Sequence, residues 1–179
     1  MQQHEIVRLV RRWLEKFVVE LNLCPFAKRE LINDRVKFVV SDAITEEQLL
    51  VDLQYELSRF QEDREIETTL LIHPQVLQSF DDYNQFLDIV DALLDEEGFL
   101  GVYQIASFHP QYRFAETEFG DAENYSNRSP FPILHLLRES SVEREIARHQ
   151  DTSLIPERNI KLLRKMGSAK LQMLLQQTD

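Results

Sequence analysis

Three short apolar runs separated by two segments of helical period constrain this chain more than any other feature. Val36–Val40 is β-branched, residues 67–72 form a second run and residues 100–107 a third. Between the first two, Thr45 and Gln48 make a capping-box signature for a helix whose Leu49, Leu53, Leu57 and Phe60 share one face. Between the last two, Ser79 or Asp81 caps a helix carrying Phe86, Leu87, Val90, Leu93 and Leu94, and Gly98 ends it. The order strand, helix, strand, helix, strand predicts an α/β protein with a small three-stranded, mainly parallel sheet and two crossover helices. A mixed sheet with one strand reversed satisfies the same pattern.

Around this core, Ile6, Leu9, Val10, Trp13, Phe17 and Leu21 mark an amphipathic N-terminal helix over residues 4–21, with Asn22 as a left-handed stop. Residues 129–139, 141–149 and 156–177 read as C-terminal helices, the last interrupted at Gly167. A length of 179 residues suits one domain, 1–179. No apolar run is long enough to span a bilayer, and the first residues lack the basic and apolar regions of a signal peptide. The lone Cys24 fits a reducing compartment. These features predict a cytoplasmic protein with no membrane partner.

Net charge is −11, and residues 42–97 alone hold 16 acidic against 2 basic residues, which reads as a solvated outer face of the two crossover helices. No stretch clusters lysine and arginine as phosphate neutralisation requires, which argues against nucleic acid. The four glycines, at 98, 101, 120 and 167, form no phosphate-cradling or dinucleotide fingerprint, and no cofactor is identifiable.

The tripeptide His-Pro-Gln follows the second and third apolar runs, at His73 and His109. On parallel strands both imidazoles reach the edge where open α/β sheets bind ligands. His109, which leads into an aromatic-rich loop over residues 108–128, is the candidate general acid or base, with His73 orienting it or touching ligand. The bland alternative is that each His-Pro simply ends a strand.

Tyr112 and Arg113, then Asn127, Arg128 and Ser129 ahead of Pro130 and Pro132, outline an anion pocket at a helix start capped by Ser129. Pairing of both arginines with the acids of the same loop is the competing reading. His135 and Arg138, one turn apart on that expected helix, could face the same pocket. Cys24 is expected at the N-cap of a short helix over residues 25–29, where the dipole favours thiolate and a histidine would complete a nucleophile and base; burial as an ordinary apolar residue is the alternative. His73, His109 and Cys24 match no short metal-binding spacing.

Three strings are specific enough to carry a resemblance. They are Asn22-Leu23-Cys24-Pro25-Phe26, then Ser107-Phe108-His109-Pro110-Gln111-Tyr112-Arg113-Phe114, and Asn127-Arg128-Ser129-Pro130-Phe131-Pro132 running into His135-Leu136-Leu137-Arg138-Glu139. Over essentially its full length the chain resembles the uncharacterised bacterial family named domain of unknown function 1415. That resemblance carries no reaction, cofactor or catalytic residue onto these positions. From the residues alone, the expectation is a hydrolase or transferase acting on a small anionic substrate. A non-catalytic protein that binds a small anion or a partner, using the same residues as ligand contacts or loop braces, is the alternative.

Overall fold

The computed structural model describes residues 1–148 and 154–177. Four strands form one sheet in the order β1-β2-β4-β3, where β1 is Val36–Val40, β2 Thr68–Ile72, β3 Tyr103–Phe108 and β4 Ile133–Arg138. Only β1 and β2 are parallel; β4 runs antiparallel to both of its neighbours. The expected three-stranded, mainly parallel sheet is thereby corrected to a four-stranded mixed one.

The correction comes from β4, which the sequence pattern assigned to a helix. Ile133-Leu134-His135-Leu136-Leu137-Arg138 is a short continuous apolar run, and such a run has no period that separates strand from buried helix. The deciding factor is tertiary: β4 is inserted between two strands and covered on both faces, so it needs no polar alternation.

The helices follow from capping and amphipathicity. Helix α1 (Gln3–Trp13) buries Ile6, Val10 and Trp13 and continues into a π-helical segment, Leu14–Val19, that buries Leu14, Phe17 and Val18. Asn22, at φ 53°, and the Leu23 N–H bond to Val18 O end it. Helix α2 is the short Ala27–Ile32. Helix α3 (Glu46–Glu62) starts at Thr45, whose hydroxyl accepts the Gln48 N–H, while the Gln48 side chain reaches back to the Ile44 N–H. Helix α4 (Phe80–Glu96) starts at Ser79, which accepts the Asp82 N–H. Gly98 follows it at φ 71°.

After β4 come α5 (Glu139–Arg148), α6 (Ile155–Met166) and α7 (Ser168–Gln176), the last two divided at Gly167 as the sequence predicts. The expected helix over residues 141–149 coincides with most of α5; its last residue, His149, lies outside the described residues. No helix among the described residues is long and apolar enough to cross a membrane.

Period two along the strands divides the core. Leu71, Leu134, Leu136 and Tyr103 pack under α3 and α4. Val36, Leu70, Ile72 and Ile133 pack under α1, the π-helical segment, α6 and α7.

Because β2 and β3 both oppose β4, they point the same way, and their His-Pro-Gln turns emerge at one edge although the strands are not neighbours. The Tyr83 ring of α4 lies between the two imidazoles, with centroids 5.7 Å from His73 and 5.1 Å from His109. Its hydroxyl donates to Ile133 O at 2.7 Å and accepts the Phe108 N–H at 3.2 Å, joining the start of β4 to the end of β3. Tyr83→Phe leaves a buried carbonyl and an amide without that partner. It should cost about 1–3 kcal/mol, read as a lowered urea midpoint with an unchanged m-value.

Candidate functional site

The aromatic loop between β3 and β4 is packed, as its composition implies. Asn124 is fully buried; its Oδ1 accepts the Phe114 N–H and the Thr117 hydroxyl, and its Nδ2 donates to Glu118 O. Arg128 donates to Tyr112 O and Phe119 O and lies over the Tyr125 and Phe119 rings at 4.4 and 4.5 Å. Its guanidinium therefore staples the loop, and the expected competition from acidic neighbours is met instead by carbonyls and rings.

The anion pocket expected at a helix start does not form, because β4 replaces that helix. Ser129 caps nothing; it is buried and donates to Phe131 O at 2.6 Å. Asn127 Nδ2 donates to Ser107 O, and its carbonyl accepts the His109 N–H. Tyr112 packs on Phe80 at 5.1 Å. Arg113 is exposed and has no ion pair among the described residues. His135 and Arg138, expected to be neighbours on a helix, lie on opposite faces of a strand, as an odd spacing in a period-two element requires. Arg138 donates to Phe60 O, Asp63 O and Ile66 O and stacks 4.0 Å over the Phe60 ring, bracing the α3–β2 connection.

The three histidines of the sheet differ in what their ring nitrogens face. His109 donates from Nε2 to Leu77 O, and its Nδ1 accepts the Gln111 N–H, so both nitrogens are occupied. His73 donates from Nδ1 to Val76 O, leaving Nε2 fully buried and without a partner. Together these two hold the turn in which Leu77 adopts φ 57° ahead of α4.

In the third, Thr68 uses its own proton on Leu136 O, so its oxygen accepts from His135 Nε2. That arrangement sets the tautomer, and the His135 Nδ1 lone pair has no partner among the described residues. Burial lowers the His73 and His135 pKa to about 4, with the neighbouring His109 adding to the effect on His73. Burial also lowers the His109 pKa.

His135 lines a hollow of about 300 Å³ between one face of the sheet and α1, α2, the π-helical segment and α5. Trp13, Leu14, Val18, Phe26, Leu70, Ala106, Phe108 and Leu137 make its apolar walls. The Gln104 side chain also lines it and has no hydrogen bond among the described residues. Trp13 Nε1 is a buried donor without an acceptor. One side is closed by ion pairs from Arg29 to Glu30 and Glu145, and from Arg35 and Arg144 to Glu67.

Cys24 opens onto the same hollow. The expected N-cap position is corrected: the helix starts at Ala27, with Phe26 before it, and Cys24 precedes both. Burial pushes the thiol pKa up, against the pull of the Phe26 and Ala27 backbone N–H groups. The thiol is accordingly held in its protonated form.

A second hollow, of about 560 Å³, lies between the aromatic loop and α6; Leu23, Phe114, Asn127, Asn159, Ile160 and Leu163 are among its walls. The three family strings therefore do converge, through Cys24, Phe108, Phe114 and Asn127, while the rings of His73 and His109 meet Tyr83 instead. Among the described residues no three His, Cys, Asp or Glu side chains gather as a metal site requires.

Gln104 and Trp13 carried no signal as site residues. Once residues 103–108 and 133–138 are paired strands, alternation puts Gln104, Ala106 and His135 on one face. Gln104 is then the polar residue out of place on an apolar surface.

Fold and hollow together define a small mixed-sheet α/β protein with a largely apolar hollow against one face of its sheet. The chain belongs to the family described as protein of unknown function (DUF1415), whose model matches residues 5–173. No curated protein and no solved structure matches it.

Neutral buried histidines set a pH dependence whose sign follows from linkage. In the unfolded chain each titrates near 6.5, in the fold near 4, so the stability they contribute is complete above about pH 6.5 and is lost as pH falls towards 4. Each is worth roughly 3 kcal/mol across that window. The melting temperature should fall between pH 6.5 and 4.5, and His135→Gln should flatten part of the slope. A flat profile there would show that the histidines are not held neutral.

Proposed function

We propose that this protein binds a small, neutral, largely apolar molecule in the hollow beside His135. The observation that carries the reading is His135 Nδ1, which has no partner among the described residues and lies on a largely apolar wall. An acceptor in such surroundings asks for a donor, and it is not sealed in as His73 Nε2 is. Gln104 supplies the complementary amide donor from the adjacent strand. A hydroxyl, primary amide or protonated acid has both functions needed to bridge the two.

The charges argue for a neutral ligand. The side chains lining the hollow include three carboxylates, Glu30, Glu67 and Glu145, and one guanidinium, Arg29. Those carboxylates are already paired, with Arg29, Arg35, Arg144 and Arg148, so an anion entering there is desolvated with no uncommitted lining cation among the described residues to meet it. The protonated state of Cys24 supports binding ahead of nucleophilic chemistry. An enzyme directed at small anions keeps one supporting observation: Arg113, beside Tyr112, is exposed and has no ion pair among the described residues.

The single tryptophan, Trp13, lines the hollow and reports on it directly. Titration with 1-hexanol at pH 7 should give a saturable change in Trp13 emission, and hexanoate should bind at least about tenfold more weakly. Ala106→Leu, which fills the hollow, should abolish the response. Tighter binding of hexanoate than of the alcohol would favour the anion-directed alternative, and no saturable response to either would reject the hollow as a site.

A further inference from the structure

The two hollows share Val18, Cys24 and Phe108 as wall residues, so the same three side chains stand between the hollow beside His135, here the inner one, and the hollow beside α6, the outer one. Their polar atoms are organised oppositely. In the inner hollow, His135 Nδ1 and the Gln104 amide have no partner among the described residues. In the outer one the polar groups are engaged with the protein. The Asn127 amide holds Ser107 O and accepts from Ser126, Asn159 donates to Leu23 O and accepts from Arg158, Thr117 donates to Asn124 Oδ1, and Glu123 pairs with Arg164. A surface whose polar groups are internally satisfied presents hydrocarbon to whatever enters it. The inner space therefore suits a polar head and the outer space an aliphatic tail.

We infer that the ligand is an elongated aliphatic molecule with a neutral hydrogen-bonding head. The head sits at His135 and Gln104, and the chain passes the Val18, Cys24 and Phe108 partition into the outer hollow. This rests on the reading of the inner hollow as a binding site and extends it to substrate class. The inner space of about 300 Å³ holds about ten water-sized groups at roughly 30 Å³ each, so a chain longer than that must cross the partition or stop gaining contacts.

A 1-alkanol series from hexanol to dodecanol, followed by Trp13 emission on the unmodified protein, tests this. Each methylene buried from water gains about fourfold in affinity. Dodecanol should accordingly bind more than about tenfold tighter than decanol, its last two methylenes lying in the outer hollow. Ala115→Phe combined with Ile160→Phe, both wall residues of the outer hollow alone, should bring dodecanol down to the affinity of the shorter alcohols while hexanol binding persists.

Saturable hexanol binding with a plateau at or before decanol would overturn the joined passage and leave the inner site standing. Absence of binding by every alcohol would overturn both. Gains that continue in the unmodified chain and also in the Ala115→Phe, Ile160→Phe variant would place the tail elsewhere and reject the outer hollow as its seat.

Discussion

Everything in this fold hangs on the antiparallel insertion of Ile133–Arg138 between β2 and β3. That strand is hydrogen-bonded along both sides and covered on both faces, so it ties the N-terminal parallel pair to the third strand and carries Leu134 and Leu136 into one core and Ile133 into the other. Tyr83 secures its entry by accepting from Phe108 while donating to Ile133. Because β2 and β3 both oppose the same central strand, their ends share an edge, and the two His-Pro turns meet there without being neighbours.

Three buried imidazoles illustrate how one residue type takes different roles from different partners. His109 has both nitrogens on backbone groups and braces the turn before α4. His73 braces the same turn through Nδ1 and has a sealed, unpartnered Nε2. His135 is oriented by Thr68, whose only proton goes to Leu136 O, and so keeps its free lone pair at Nδ1. Burial holds all three towards the neutral form, which makes them acceptors and braces at neutral pH and a source of instability in acid.

The cationic side chains follow the same logic. Arg128 and Arg138 each satisfy several carbonyls while lying over aromatic rings, which suits a planar guanidinium with donors in a fixed fork. Tyr112, Ser129 and Asn127 are likewise engaged with backbone or packing partners. The hollow beside His135 is largely apolar, and the carboxylates on its rim are already paired with arginines.

Much of the fold was legible because local physics sets it. The caps at Thr45 and Ser79, the left-handed Asn22, the stop at Gly98 and the break at Gly167 all act within one turn of chain. The packed aromatic loop was legible from its composition, and the convergence of the two His-Pro turns from the strands that precede them. The identity of β4 was not, since six apolar residues bear no period and only the gap between β2 and β3 made them a strand. With β4 misread, Ser129 looked like a cap, His135 and Arg138 looked like neighbours, and Gln104 had no partner to mark it. The sequence by itself determined the capped starts of α3 and α4 and the stops at Asn22, Gly98 and Gly167, because those depend on near neighbours. Only tertiary structure decided which polar atoms stay unengaged, since satisfaction of a buried group depends on what distant chain is packed against it.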